Sequence, residues 1–249
     1  MRTKLVSLML LFAASFTTAH AETGNTVNAM NESSTNNTVE TTATVQESQE
    51  NPTKSTAATA KKKMLLVIDC QYDFITGSLA APNSEPVMKN LAKYISDNDS
   101  EYAVKVFTTD WHPYNHCSFK PQGGLWPAHC VQHTKGAAIY EDITNAAFAT
   151  KGDVYVFEKG EKQEVDEYSI FDNAVSAQKI REVVKKYGIE EIDICGIATE
   201  YCVKGSLEGA IKEFGPQMMA VLINYICPIS DPKALDPVIK QYNLKVINK

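Results

Sequence analysis

This 249-residue chain holds little that could fold between Glu22 and Ala60. That stretch has no aromatic residue, no Leu and no Ile, and Ser, Thr and Asn fill 20 of its 39 positions. Such a segment cannot bury enough apolar surface to offset its ordering entropy, which excludes a packed module and reads as a disordered spacer. Asn31-Glu-Ser33 and Asn36-Asn-Thr38 match glycosylation sequons, as chance alone produces in so biased a composition.

Long apolar runs are also scarce. The uncharged run from Leu5 to Phe16 follows the basic residues Arg2 and Lys4 and precedes Ala19-His20-Ala21, a small-x-small pattern. This is the layout of a secretory signal peptide spanning residues 1–21 and cleaved after Ala21. The run falls short of the roughly 20 apolar residues a membrane span needs, and no other stretch approaches that length. The expectation is an exported protein, periplasmic or secreted, with no stable membrane span after cleavage. An excess of positive charge is missing too. The net charge is −6 with no basic face, so nothing points to a nucleic-acid partner.

What remains is Lys61–Lys249, 189 residues, with 22–60 as the linker before it. One domain of this size builds a full core without staples. Six cysteines, Cys70, Cys117, Cys130, Cys195, Cys202 and Cys227, therefore need not pair. Cys195 and Cys227 lie in apolar contexts, as buried thiols do. A bridge between Cys117 and Cys130 is left open.

Along the domain, apolar runs alternate with amphipathic stretches. Strands are expected at 64–69, 102–109, 153–159, 191–198, 218–223 and 244–248, and helices at 86–99, 174–187, 203–214 and 232–242. A long stretch from Asp110 to Gly152 shows little regular pattern. The alternation defines an α/β fold with a mostly parallel, doubly wound sheet of five to six strands, covered on both faces. Ligands of such sheets bind beyond the carboxyl ends of the strands.

Those ends carry reactive groups. Asp69 closes the first strand, Asp110 the second and Lys159 the third, and Cys202 follows the fourth where a helix begins. Each alone is an ordinary turn or core residue; together they fall on one edge. The set suits nucleophilic acyl transfer from an amide. A helix start favours a Cys202 thiolate. Asp69 can take and return a proton, Lys159 can keep that carboxylate ionised, and backbone N–H groups of the 196–202 turn can bind an oxyanion. A second cluster, Asp110-x-His112-x-x-x-His116 with His129 further on, offers imidazole and carboxylate ligands suited to one divalent ion, Zn, Fe or Mn. His116 reads equally as a ligand, a neighbour of the ligands or a loop strut. His133 reads as turn surface.

The motifs VIDCQYDF (67–74), DWHPYNHCSF (110–119), WPAHCVQ (126–132), FEKG (157–160), DEYSIF (166–171) and GIATEYCV (196–203) resemble the nicotinamidase branch of the isochorismatase-like cysteine hydrolases, in order from Met64 to Cys227. The resemblance implies a three-layer α/β/α fold, a Cys202–Lys159–Asp69 triad and a metal at Asp110, His112 and His129, with His116 a ligand in some members. It implies a cis Ile197–Ala198 bond, an oxyanion hole from the Ala198 and Cys202 N–H groups, and Phe74, Trp126 and Tyr168 packing the substrate ring. The implied reaction is hydrolysis of nicotinamide through a Cys202 thioester, its ring nitrogen on the metal, with pyrazinamide as a side substrate. The chain departs from the family at Glu200, where many members carry Asp, and at Tyr72, where Asn is usual. The alternatives are a related metal-independent amidase acting on N-carbamoyl or ureido substrates, and an exported non-catalytic ligand-binding protein. A homo-oligomer is left open.

Overall fold

The computed structural model describes residues 61–249. The signal peptide, spacer and sequons expected at 1–60 lie outside the described residues. Six strands, β1 (Lys63–Ile68), β2 (Val104–Asp110), β3 (Asp153–Lys159), β4 (Glu191–Ile197), β5 (Met219–Cys227) and β6 (Lys245–Ile247), form one sheet in the order β3-β2-β1-β4-β5-β6. Every pairing is parallel.

The central strands are apolar without alternation because both their faces are covered. Met64, Leu66 and Ile68 of β1 pack on one side against α4 (Ala174–Tyr187), α5 (Lys204–Phe214) and α6 (Asp236–Tyr242), through Ile180, Leu207 and Val238. Leu65 and Val67 face the other way, onto α2 (Ser84–Asp97) and α3 (Glu141–Phe148), through Met88, Leu91 and Ile143. A short helix, α1 (Tyr72–Ile75), follows β1. Asn173 caps α4 by accepting the Ser176 N–H at 3.0 Å, and Gly188 ends it in the left-handed conformation.

Several boundaries differ from the expectations. The 153–159 strand and 174–187 helix have the expected bounds. The edge strand β3 leaves Val154 and Val156 partly open. Neither α1 nor α3 was anticipated. Helix α3 is only eight residues long and Phe148 projects into solvent, which masks its period. The expected 232–242 helix begins only at Asp236. The register of β5 jumps, so that Ile194 faces Val221 but Gly196 faces Ile226; the strand runs on to Cys227 instead of ending at Ile223.

The chain lays down β1, β2 and β3 outward on one side, then crosses back to place β4 on the other side of β1. Strand order reverses at the β1/β4 boundary, where crevices form at the carboxyl ends of parallel strands. Gly196 lets the two strands close there. Its φ is +119°, and a Cβ would lie 2.1 Å from the Ile68 carbonyl oxygen.

Candidate active site

Asp69 is the first residue beyond β1 and is fully buried, with φ at +47°. Its N–H donates to the Thr108 carbonyl at 3.2 Å, and the Thr108 hydroxyl donates to its Oδ1 at 2.6 Å. Its other oxygen, Oδ2, lies 3.0 Å from Lys159 Nζ without an aligned hydrogen bond. Lys159, the last residue of β3, is buried with it. Its ammonium donates to Asp110 Oδ1, to the Glu167 carbonyl at 3.0 Å and to Cys202 Sγ at 3.4 Å.

One buried cation therefore meets two carboxylates and a thiol, each from the end of a different strand. Burial works against charging Lys159, but Asp110 and Asp69 outweigh it and its pKa is raised. Burial raises the pKa of Asp69, with Lys159 pulling the other way. Asp110 is pushed down, because Lys159 and His112 overcome its burial.

The surroundings of Cys202 work against the thiolate that a helix start was expected to favour. It sits in a π-type turn, Thr199–Val203, that leads into α5. Burial raises its pKa well above the ordinary thiol value; Lys159 lowers it, while Asp69 and Asp110 raise it further. The proton is therefore held more tightly than on an ordinary thiol, and a neighbouring base is needed to remove it. Ala198 ends a cis peptide bond after Ile197 and lies beside Cys202 in the cavity wall.

The second cluster forms on the same edge. Ligand atoms of Asp110, His112 and His129 lie within 4.8 Å of one another, all buried. His112 Nε2 is 3.5 Å and His129 Nε2 3.9 Å from Asp110 Oδ2. Each ring turns Nδ1 to a carbonyl, His112 to Gly160 at 3.0 Å and His129 to Pro127 at 2.8 Å. A carbonyl only accepts, so Nδ1 carries the proton in the neutral ring and the Nε2 lone pair faces Asp110. Burial lowers the pKa of His129; for His112 the neighbouring Asp110 outweighs burial and raises it. This donor set fits a divalent ion. Asp69, Asp110 and Cys202 also converge within 4.8 Å, but the Lys159 ammonium already occupies their midst.

His116 stands apart. Its Nδ1 pairs with the Ser118 hydroxyl at 2.7 Å and its Nε2 with the Val165 carbonyl at 2.9 Å. It stacks on His112 with centroids 4.0 Å apart. With both nitrogens engaged it supports the His112 ring, and in this arrangement it offers no free ligand atom.

Phe74, Trp126 and Tyr168, the expected ring-packing aromatics, all line one narrow cavity together with Asp110, His129, Ala198 and Cys202. Trp126 Nε1 donates to the Tyr168 hydroxyl at 3.0 Å. Phe74 tilts against His129 at 5.5 Å between centroids.

Sequence reasoning missed Leu79, Tyr201 and Ile229 in the cavity wall. It also missed Gln71, whose buried amide donates to the Asp110 carbonyl at 2.7 Å and accepts the Asp110 N–H at 2.8 Å. That side chain stands in for a strand neighbour where β1 has ended. Tyr72 packs edge-on against Tyr140 at 5.1 Å and does not line the cavity. All six cysteines are free, Cys117 and Cys130 included.

A parallel α/β sheet that gathers a buried thiol, a carboxylate, an ammonium and a His/Asp cluster able to hold a metal ion at one edge has the architecture of a cysteine hydrolase. Residues 63–213 match the isochorismatase domain, and the chain belongs to that family. It is 32% identical over 219 residues to the nicotinamidase of Saccharomyces cerevisiae, covering 75% of this chain and 100% of that one. Among solved structures it is similar to the pyrazinamidase of Pyrococcus horikoshii in complex with zinc, at 28% identity and a TM-score of 0.63, over 76% of this chain and 99% of that one. It is also similar to Pnc1 from L. infantum in complex with nicotinate, at 29% identity and a TM-score of 0.64, over 76% and 93% of the two chains.

Proposed function

We propose that this protein is an amide hydrolase that converts nicotinamide to nicotinate and ammonia. The observation that carries this reading is that Cys202 lines a cavity walled by aromatic rings, Asp110 and His129, and is backed by the buried Lys159 and Asp69. A flat heteroaromatic amide suits those walls. The relatives named nicotinamidase and the neighbour holding nicotinate support the same substrate.

Asp69 Oδ2, lacking an aligned donor and more basic than an ordinary carboxylate, takes the thiol proton as Cys202 sulfur attacks the carboxamide carbon. Lys159 holds Asp69 in place and offsets the negative charge that builds in the buried site. The N–H groups of Ala198 and Cys202 receive the oxyanion. Ammonia departs with the proton from Asp69, leaving a thioester on Cys202. Asp69 then draws a proton from water as that water attacks, and nicotinate leaves as Cys202 regains its proton. Asp110, His112 and His129 would hold a divalent ion, zinc being the one found in the Pyrococcus horikoshii neighbour; such an ion supplies Lewis acidity and a binding position for the ring nitrogen.

The signal-peptide pattern at 1–21 supports export of this activity, which fractionation of producing cells would check. The chemistry is tested by quenching the protein during turnover of nicotinamide and mapping the acyl group by mass spectrometry. A nicotinoyl thioester on Cys202, with nicotinate accumulating, is expected. Nicotinate formed with the acyl group on another residue, or no nicotinate at all, would overturn the reading.

A further inference from the structure

Ile229, which lines the cavity, belongs to a segment hydrogen-bonded to a residue with no part in the mechanism above. The Pro228–Asp231 segment follows β5 and precedes α6, lies between Pro228 and Pro232, and belongs to no strand or helix. Its backbone N–H groups converge on one side chain from another part of the chain. Glu200 Oε2 accepts the Ile229 N–H at 3.1 Å. Glu200 Oε1 accepts the Ser230 N–H at 2.6 Å, the Asp231 N–H at 3.1 Å and the Ser230 hydroxyl at 3.0 Å. Three consecutive N–H groups around one carboxylate make a nest, and hydrogen bonds to an ionised acceptor are the strong kind. Burial would raise the pKa of Glu200, but its own backbone N–H, together with those of Ser230, Asp231 and Ile229, outweighs it and holds the carboxylate below its ordinary range.

The position of Glu200 gives the contact its meaning. It lies in the same Thr199–Val203 turn as Tyr201 and Cys202, which form one side of the cavity. The segment it grips carries Ile229, which lines that cavity too. The register jump in β5, which sets Cys227 opposite Ile197, delivers the segment beside the turn. Nothing else in the hydrogen-bond pattern of the described residues ties the Ile229–Asp231 N–H groups to the body of the protein.

We propose that Glu200 is a positioning and specificity-determining residue: it latches the 228–231 segment to the nucleophile turn and thereby sets how closely Ile229 approaches the substrate ring. In the latched state the cavity admits a flat, unsubstituted heteroaromatic amide. Released, the Ile229 wall moves back, the ring is held less well, and amides with a ring substituent are excluded less. The inference rests on the nicotinamide reading for its choice of substrate, not for the latch itself.

The test compares the wild-type protein with Glu200→Ala, Glu200→Gln and Glu200→Asp. Amide exchange at Ile229, Ser230 and Asp231 reads the latch. It should rise about tenfold or more in Glu200→Ala, less in Glu200→Gln and least in Glu200→Asp, which keeps a carboxylate. Alkylation of Cys202 by iodoacetamide reads the nucleophile, and by 3-(bromoacetyl)pyridine the fit of a ring. The first rate should change less than about threefold while the second falls about tenfold. With nicotinamide, KM should rise about tenfold with kcat nearly kept, and the preference for nicotinamide over 5-methylnicotinamide should shrink.

Unchanged exchange in all three variants would overturn the latch. Faster exchange with KM, the alkylation ratio and the ring preference all unchanged would overturn its role in the pocket. A fall in kcat together with the iodoacetamide rate, at constant KM, would make Glu200 a support of the nucleophile instead. If the wild-type protein does not hydrolyse nicotinamide, the functional reading fails, whereas exchange and the alkylation ratio still decide the latch.

Discussion

Replacing Lys159 by Met removes a buried ammonium while keeping most of its length and apolar stem. Lys159 is fully buried and its Nζ meets Asp69 Oδ2, Asp110 Oδ1 and Cys202 Sγ. Without it, two buried carboxylates face one another with only the imidazoles of His112 and His129, beside Asp110, to offset them. Breaking a buried pair by removing one partner costs about 3–5 kcal/mol. For a domain of this size each kcal/mol moves Tm by roughly 2–4 °C, so the metal-free variant should melt about 6–20 °C below the wild type.

The pH dependence has a definite sign. In the wild type the raised pKa of Lys159 contributes stability present below its unfolded value, about 10.4, and lost only as pH climbs through the higher folded value. The depressed pKa of Asp110 contributes stability present above about 3.9 and lost as pH falls through its folded value. In Lys159→Met both carboxylates lose their shared ammonium and their pKa values rise. Protonating one relieves the repulsion, so the Tm gap should be widest near neutral pH and narrow toward about pH 4. Thermal melts followed by circular dichroism across that range measure the gap. A loss of less than about 2 °C at neutral pH, or a gap that widens on acidification, would refute the charge-cluster reasoning.

Three further outcomes are expected. Gly160→Ala would place a Cβ 2.4 Å from His112 Cε1 at a φ of +73°, and should weaken divalent-ion affinity roughly 10–100-fold in a chelator competition; unchanged affinity would show that the His112 ring is not held there. His116→Ala should reduce that affinity less than His112→Ala, because both His116 nitrogens are engaged by Ser118 and Val165; equal losses would make His116 a ligand. At the far end of the sheet, burial would raise the pKa of Glu191, but Lys245 and Lys63 outweigh it and hold it at about 2. Its stabilisation is present above about pH 4.3 and lost as pH falls toward about 2. Glu191→Gln should remove that part of the acid sensitivity in melts at successive pH values, and an unchanged acid limb would exclude it.

The sheet was legible in the sequence because its central strands are buried on both faces and so read as unbroken apolar runs. The triad was legible because strand ends in such a fold share one edge. Other features were not. Helix α3 turns Phe148 outward and so hides its period. The pKa of Cys202 depends on how completely the surrounding chain removes water, which no local pattern encodes. Asp110 was read only as a metal ligand, yet it also pairs with Lys159; that contact joins residues far apart in the chain. Gln71, Tyr201 and Ile229 carried no local signal, and only the meeting of the end of β2, the Cys202 turn and the end of β5 gives them their place.

A Cys202 nucleophile and an Asp110–His112–His129 metal site are proposed to serve one amide substrate. The most direct measurement is ammonia release from nicotinamide by the purified protein, as made, after exhaustive chelation and after restoring zinc, beside Cys202→Ala. The account predicts turnover that chelation abolishes and zinc restores, and none at any stage in Cys202→Ala. Turnover that survives chelation, or that persists without the Cys202 sulfur, would contradict it.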